Sequence, residues 1–276
     1  MIKRILVPTD GSEEAGVAAR YAVGLAKQCG ATLLGLHVVD IKLLEGPLLR
    51  DVAASLGTAP YVNYQGNISL VLEERGKAAL RAFADLCAEA GLPCETHQVT
   101  GIVTRAILDK GELADLIVMG RSGEHGAWLE DPVGSTTESV VRRAEQPVLI
   151  TANGVFSASR CVVAYDGSHH ANRAVQVAAT LASEWEMECH VLTVGAPKTA
   201  ARIEEARAYL DTHDLEAQYT TREGDPSEII VGYAEECGAD LLIMGAYGHT
   251  KVRALVVGST TAYAIAHAPC PLLLTR

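Results

Sequence analysis

Short, wholly apolar runs punctuate this chain at intervals: Ile5-Leu6-Val7, Leu116-Ile117-Val118-Met119, Cys161-Val162-Val163-Ala164 and Leu241-Leu242-Ile243-Met244. Between them lie longer segments of mixed polar and apolar residues. A run with no polar alternate suits a strand buried on both faces, as in a parallel sheet covered by helices. The pattern predicts strands at 3–9, 32–39, 94–99, 115–119 and 148–151 in the first half. Helices are expected at 12–29, 68–90 and 103–110, with a further one opening at Gly134-Ser135. Ser12 is placed to cap the first helix, and Glu13 and Glu14 sit favourably in its first turn. Residues 40–67, which include Pro47, Gly57, Pro60 and Gly66, are too many for an ordinary connection. A short helix at 48–56, a lid, an interaction surface and a disordered insertion all remain open there.

The order then repeats. Ile5 to Ser12 (Ile-Leu-Val-Pro-Thr-Asp-Gly-Ser) recurs as Cys161 to Ser168 (Cys-Val-Val-Ala-Tyr-Asp-Gly-Ser). Ala114-Asp115-Leu116-Ile117-Val118-Met119-Gly120 recurs as Ala239-Asp240-Leu241-Leu242-Ile243-Met244-Gly245, and Gln146-Pro147-Val148-Leu149-Ile150-Thr151 as Cys270-Pro271-Leu272-Leu273-Leu274-Thr275. Three matches in one order indicate a tandem duplication. The pattern breaks at Asn153-Gly154 and Ser157-Ala158-Ser159, which predicts domains at 1–152 and 159–276. Alternating strands and helices imply a parallel sheet in each. The short apolar strands that close each half would leave open sheet edges, so the halves are expected to pack together through them.

Composition narrows the class. Two Phe and two Trp in 276 residues leave a core of Val, Leu, Ile and Ala, which favours parallel sheets under helices. A formal charge of −11 argues against general nucleic-acid binding and against docking on an anionic membrane. No apolar run approaches the roughly 18–20 residues of a membrane span, and the first residues lack a signal-peptide layout. The seven Cys, without any C-x-x-C pair, read as small buried hydrophobes in a reducing cytoplasm. The adjacent His169 and His170 are not spaced for one helix face, so no metal site is expected.

The candidate chemistry lies in Gly245-Ala246-Tyr247-Gly248, followed after nine residues by Gly258-Ser259-Thr260. It stands between an apolar strand and an Ala-rich helix stopped by Pro269. A glycine loop running into a helix N-terminus presents unpaired N–H groups and a positive dipole end to an anion. The hydroxyls of Ser259 and Thr260 add donors. The stretch is neither a Walker loop nor a G-x-G-x-x-G dinucleotide loop. In open α/β sheets ligands lie beyond the carboxyl ends of strands, where Asp10, Asp166, Gly120 and Gly245 all fall, so within each half they can share one crevice.

A strand ending in Asp-Gly-Ser, the late glycine loop and the final Cys-Pro-Leu-Leu-Leu strand together resemble the universal stress protein family, twice over and across nearly the whole chain. The resemblance implies two tandem five-stranded parallel α/β sandwich domains of the Rossmann-type, adenine nucleotide alpha-hydrolase-like class, packed as a pseudo-dimer. It implies ATP as ligand, with Mg²⁺ as an accompanying ion. Asp166 would then lie near the ribose and any metal, and backbone around Val194 would face adenine. Gly245, Gly248, Gly258, Ser259 and Thr260 would hold the phosphates, with Ala164, Tyr165 and His249 beside them. In the first half the matching set is Pro8, Thr9, Asp10, Val39, Gly120, Arg121, Gly123, Gly134, Ser135 and Thr136.

The halves differ in charge and length. Ten residues separate Gly123 from Gly134, and they include Glu124, Glu130 and Asp131 with only His125 to offset them; the second loop carries His249, Lys251 and Arg253 and no acid. The second site is therefore expected to take ATP first, with Arg121 a partial compensation in the first. The leading expectation is a cytoplasmic ATP-binding stress-response regulator acting on an unknown protein partner. A slow ATPase or nucleotide transferase, an adaptor without nucleotide, and a homodimer stay open. No catalytic residue is assigned.

Overall fold

A computed structural model of the chain describes residues 2–42, 61–124, 133–152, 154–195, 200–246 and 258–276, with side chains from 68 and from 203 onward in the two helices that open beside a gap. The first half runs β1 (Arg4–Pro8), α1 (Glu13–Cys29), β2 (Thr32–Asp40), α2 (Tyr61–Glu89), β3 (Cys94–Gly101), α3 (Val103–Gly111), β4 (Leu116–Met119), α4 (Ser135–Arg143) and β5 (Val148–Ile150). The second runs β6 (Arg160–Ala164), α5 (His169–Trp185), β7 (Glu188–Val194), α6 (Ala200–Asp211), β8 (Ala217–Arg222), α7 (Pro226–Glu236), β9 (Leu241–Gly245), α8 (Ser259–His267) and β10 (Leu272–Thr275).

All ten strands form one sheet in the order β3-β2-β1-β4-β5-β10-β9-β6-β7-β8. Each half has the same internal order and parallel pairing. Among the described residues the one antiparallel seam joins β5 to β10, with Leu272 opposite Ile150, Leu273 opposite Leu149 and Leu274 opposite Val148. The two closing strands thus satisfy each other's backbone groups, as expected of apolar edges that water would otherwise reach. The halves are related by a pseudo-two-fold axis through this seam.

Alternate residues of each strand enter two cores. Ile5 and Val7 face α1, whereas Leu6 faces α3 and α4. The core on the first face is continuous between the halves, from Tyr21 on α1 to Trp185 on α5, and Phe156 of the linker packs edge-on between those rings, at centroid distances of 5.4 and 5.8 Å.

The hydroxyls of Ser12 and Ser168 accept from the N–H of Ala15 and Ala171, both at 3.2 Å, so both expected caps form. One boundary moves: α2 begins at Tyr61, seven residues ahead of its expected start at 68. The added turns contain Val62, Asn63, Gly66 and Asn67, weak helix formers that mask the signal. Once the downstream helix has nucleated, extension needs no strong propensity of its own. The possible 48–56 helix lies outside the described residues.

Candidate functional site

In the first half β1 has β2 on one side and β4 on the other, so the strand order reverses beside it. Beyond the carboxyl ends of these strands opens a cleft of about 280 Å³. Pro8, Thr9, Asp10, Val39, Gly120, Gly123, Gly134, Ser135 and Thr136 all line it. The tenth candidate does not. Arg121 turns toward the other half, donating to the carbonyls of Ala266 (3.2 Å) and Ala268 at the end of α8. Its guanidinium satisfies carbonyls that a helix C-terminus leaves over, and it is therefore no partner for an anion in the first cleft.

The feature of the cleft whose chemistry suits an anion is the start of α4. Gly134 occupies the N-cap position with φ −65° and ψ 140°, and no side chain caps the helix. The Thr137 hydroxyl instead donates to the Gly120 carbonyl at 3.1 Å, tying the helix start to the end of β4. The second half repeats the arrangement: Gly258 is an N-cap with φ −58° and ψ 144° and no side-chain bond, and the Thr261 hydroxyl donates to the Ala246 carbonyl at 3.0 Å. Among the described residues no side chain takes the orphan N–H groups or the dipole end at either helix.

Asp10 is closely held. One carboxylate oxygen accepts the Ser12 N–H at 2.9 Å and the other accepts the Glu124 N–H at 2.8 Å, closing the glycine loop over the cleft. A Cβ at Gly123 would stand 2.5 Å from that second oxygen, so only glycine allows the contact without a shift. Burial pushes the Asp10 pKa up, but the hydrogen bonds from Ser12 and Glu124 outweigh it and leave the group below its ordinary value. Glu124 is in turn paired with Arg75 of α2, which also lines the cleft. The negative charge of Glu124 is thus partly offset by a cation from far away in sequence.

Arg75 escaped the sequence reading, as did His37, a buried cleft residue whose Nδ1 lies 2.8 Å from the Thr9 carbonyl. Arg75 sits among other charges on a long helix, and nothing local marks it. Strand register offers a signal for another missed residue. Pro8 pairs with Leu36 and its repeat counterpart Ala164 with Leu192, so the equivalent of Val194 is Val38, and both Val38 and Val39 reach the cleft.

In the second half Asp166 accepts the Ser168 N–H at 2.9 Å, as Asp10 does from Ser12. Val194 ends β7, and Ser259 and Thr260 open α8. Ala164 is buried in the core shared with α7 and α8. Tyr165 is buried toward α5, its hydroxyl 2.9 Å from Asn172 Oδ1 and its N–H donating to the Leu192 carbonyl, so its side chain serves the core. Gly245 is tight for a packing reason: a Cβ there would meet His170 Cβ at 2.7 Å and its carbonyl carbon at 2.8 Å. Gly248, His249, Lys251 and Arg253 lie outside the described residues, as do His125, Glu130 and Asp131.

The family model described as the universal stress protein family matches residues 1–152 and again 158–276. Universal stress protein Slr1230 of Synechocystis sp. is 29% identical over 290 residues, covering 100% of both chains. Universal stress protein MJ0531 of Methanocaldococcus jannaschii is 33% identical over 153 residues, 54% of this chain and 82% of that protein. Among solved structures, a universal stress protein from Archaeoglobus fulgidus superposes with a TM-score of 0.76 at 24% identity, covering 99% of this chain and 96% of that one.

Proposed function

The chain belongs to the universal stress protein family, twice over, and from that premise we propose that it is an adenine-nucleotide-binding regulator that holds ATP first in its second domain. The observation that carries the reading is the pair of uncapped glycine N-termini at Gly134 and Gly258, each following a central strand, with Asp10 and Asp166 just past the ends of the adjacent strands β1 and β6. An anion can take the orphan N–H groups there, while Ser135, Thr136, Ser259 and Thr260 supply hydroxyls to the same oxygens. Adenosine would extend along the ends of β2 or β7, where Val38 and Val194 give apolar contact. A Mg²⁺ on the phosphates would find its protein carboxylate in Asp166.

Preference for the second domain rests on the charge of its loop. The loop after β9 contains His249, Lys251 and Arg253 and no acid, which suits a polyanion. Cytoplasmic action through a protein partner is part of the same proposal. Among the described residues no helix is long and apolar enough to cross a membrane.

Calorimetric titration of ATP into the intact chain tests this, with Gly134→Asp and Gly258→Asp variants alongside. The expected result is one tight site abolished by Gly258→Asp and barely changed by Gly134→Asp. Two equal sites would overturn the asymmetry. No binding by freshly purified, nucleotide-stripped protein would overturn the nucleotide reading itself.

A further inference from the structure

A second hollow lies on the opposite side of the molecule's logic, at the seam between the domains. Its floor is one leucine from each of the four central strands: Leu116, Leu149, Leu273 and Leu241. Tyr21 and Leu25 of α1 wall one side, Val177, Leu181 and Trp185 of α5 the other, and Phe156 of the linker closes over them. The space measures about 270 Å³. It exists because the seam sets the two helices apart over β5 and β10, and it requires both domains and the linker to be built.

The polar groups of this lining are unequal in what they still offer. The Asp115 carboxylate accepts the N–H groups of Lys3 (2.7 Å) and Arg4 (2.9 Å). Arg173 is exposed at the margin, and its hydrogen bond goes to a neutral group, Gln176 Oε1, at 2.9 Å. Among the described residues it has no acidic partner. The repeat places Val17 where the second domain has Arg173, counting equally from Ser12 and Ser168. The pocket, though astride a pseudo-two-fold axis, therefore carries this arginine at one end only.

We propose that this interdomain pocket binds a small amphipathic carboxylate, its apolar body over the leucine floor and its carboxylate at Arg173. Size sets the body. An apolar cavity of about 150 Å³ takes up benzene, so this pocket suits a ring with a short substituent or an alkyl chain of about eight carbons. Charge sets the head: an apolar lining rejects a polar body, whereas a carboxylate at the mouth stays partly hydrated and meets the guanidinium. The inference is independent of the nucleotide reading, because the pocket shares no lining residue with the first-domain cleft and none of the second-domain candidates Asp166, Val194, Gly245, Gly258, Ser259 and Thr260 lines it.

Calorimetry on the intact chain with octanoate, hexanoate and octan-1-ol as probes tests it. Octanoate should bind saturably at one site, and hexanoate about 15-fold more weakly, at about fourfold per methylene. Arg173→Gln should weaken octanoate about two- to fivefold, the range for one partly exposed ion pair, and leave octan-1-ol unchanged. Val177→Phe fills the pocket from the wall and Thr180→Trp from the exposed rim. Each should cost octanoate tenfold or more, with circular dichroism confirming the fold; if the first does not fold, the second decides. Saturating ATP should leave octanoate affinity unchanged. Non-saturable uptake, indifference to the folded filling variants, an equal loss for octan-1-ol in Arg173→Gln, or displacement of octanoate by ATP would each overturn the proposal.

Discussion

Two glycines at the two ends of one loop show how one residue type can serve different ends. At Gly258 the nearest described atom to a built Cβ is the Thr261 hydroxyl oxygen, at 3.9 Å, whereas at Gly245 the helix start of α5 is in the way. Gly258→Asp should therefore fold normally and lose ATP at least a hundredfold, since like charges a few ångströms apart in a partly dry site cost several kcal/mol. Calorimetry beside a thermal melt checks both halves of that statement. Gly245→Ala should instead lower stability by about 1–3 kcal/mol, the usual cost of overpacking, seen as a reduced Tm. Asp10 gives a pH prediction at the same scale. Its folded pKa is depressed, so its contribution is present above the unfolded value of about 3.9 and is lost as pH falls through the folded one. The stability gap between wild type and Asp10→Asn should be full at pH 7 and shrink below about pH 4. A gap that stayed constant down to pH 2 would mean that Asp10 is not held by its donors.

At the scale of elements, each helix that opens a glycine cradle is met at its far end by an arginine of the other domain. Arg121, just past β4, bonds the carbonyls of Ala266 and Ala268 at the end of α8, and Arg276, just past β10, bonds the Arg142 carbonyl at the end of α4 at 3.1 Å. These contacts pair a cation with the negative end of a helix dipole and satisfy carbonyls that the helix itself cannot. Arg121 is half-buried, and burial lowers its pKa, so its bonds form in a less hydrated setting than those of a surface arginine. Arg121→Ala should cost about 1–3 kcal/mol, the range for hydrogen bonds to a charged donor. Chemical denaturation of the folded variant measures this, and an unchanged midpoint would make the contact incidental.

The whole molecule is organised by the β5–β10 seam. It joins two five-stranded sheets into one and places Leu149 and Leu273 side by side in the core. Cut at the linker, a fragment of residues 1–152 would expose the edge of β5 together with the apolar surface that α5 and Phe156 cover in the intact chain. Such an edge recruits another strand. The fragment should therefore self-associate into a dimer, which light scattering on a sizing column would detect; a stable monomer would show that the edge needs no partner. Interrupting the seam from within, as by Leu149→Asp, should destabilise the intact chain by more than about 3 kcal/mol, because a carboxylate would be buried without a donor.

Much of this arrangement is legible in the residue order. Buried parallel strands are short and wholly apolar, so Ile5-Leu6-Val7 and Leu241-Leu242-Ile243-Met244 announce themselves, and repetition of an eight-residue stretch announces the duplication. Asp10 and Gly120 could be assigned to one crevice because both lie beyond strand ends in a sheet whose order reverses there. Other features depend on approach between residues far apart in the chain. Arg75 reaches the cleft only because α2 crosses beside β2, and no spacing in the sequence encodes that crossing. Arg121 stands beside Gly120 yet spends its charge on α8, since a guanidinium on a long side chain goes to the nearest unsatisfied carbonyls, wherever the fold has put them. Tyr165 precedes Asp166 but faces the other side of the sheet, by the period-two alternation of a strand end. The interdomain pocket belongs wholly to tertiary structure: its floor, walls and roof come from two domains and a linker, and become neighbours only once β5 and β10 have paired. Local pattern determines which elements form and which face they bury, whereas the direction of a long side chain, and the space left between packed helices, are decided by the packing itself.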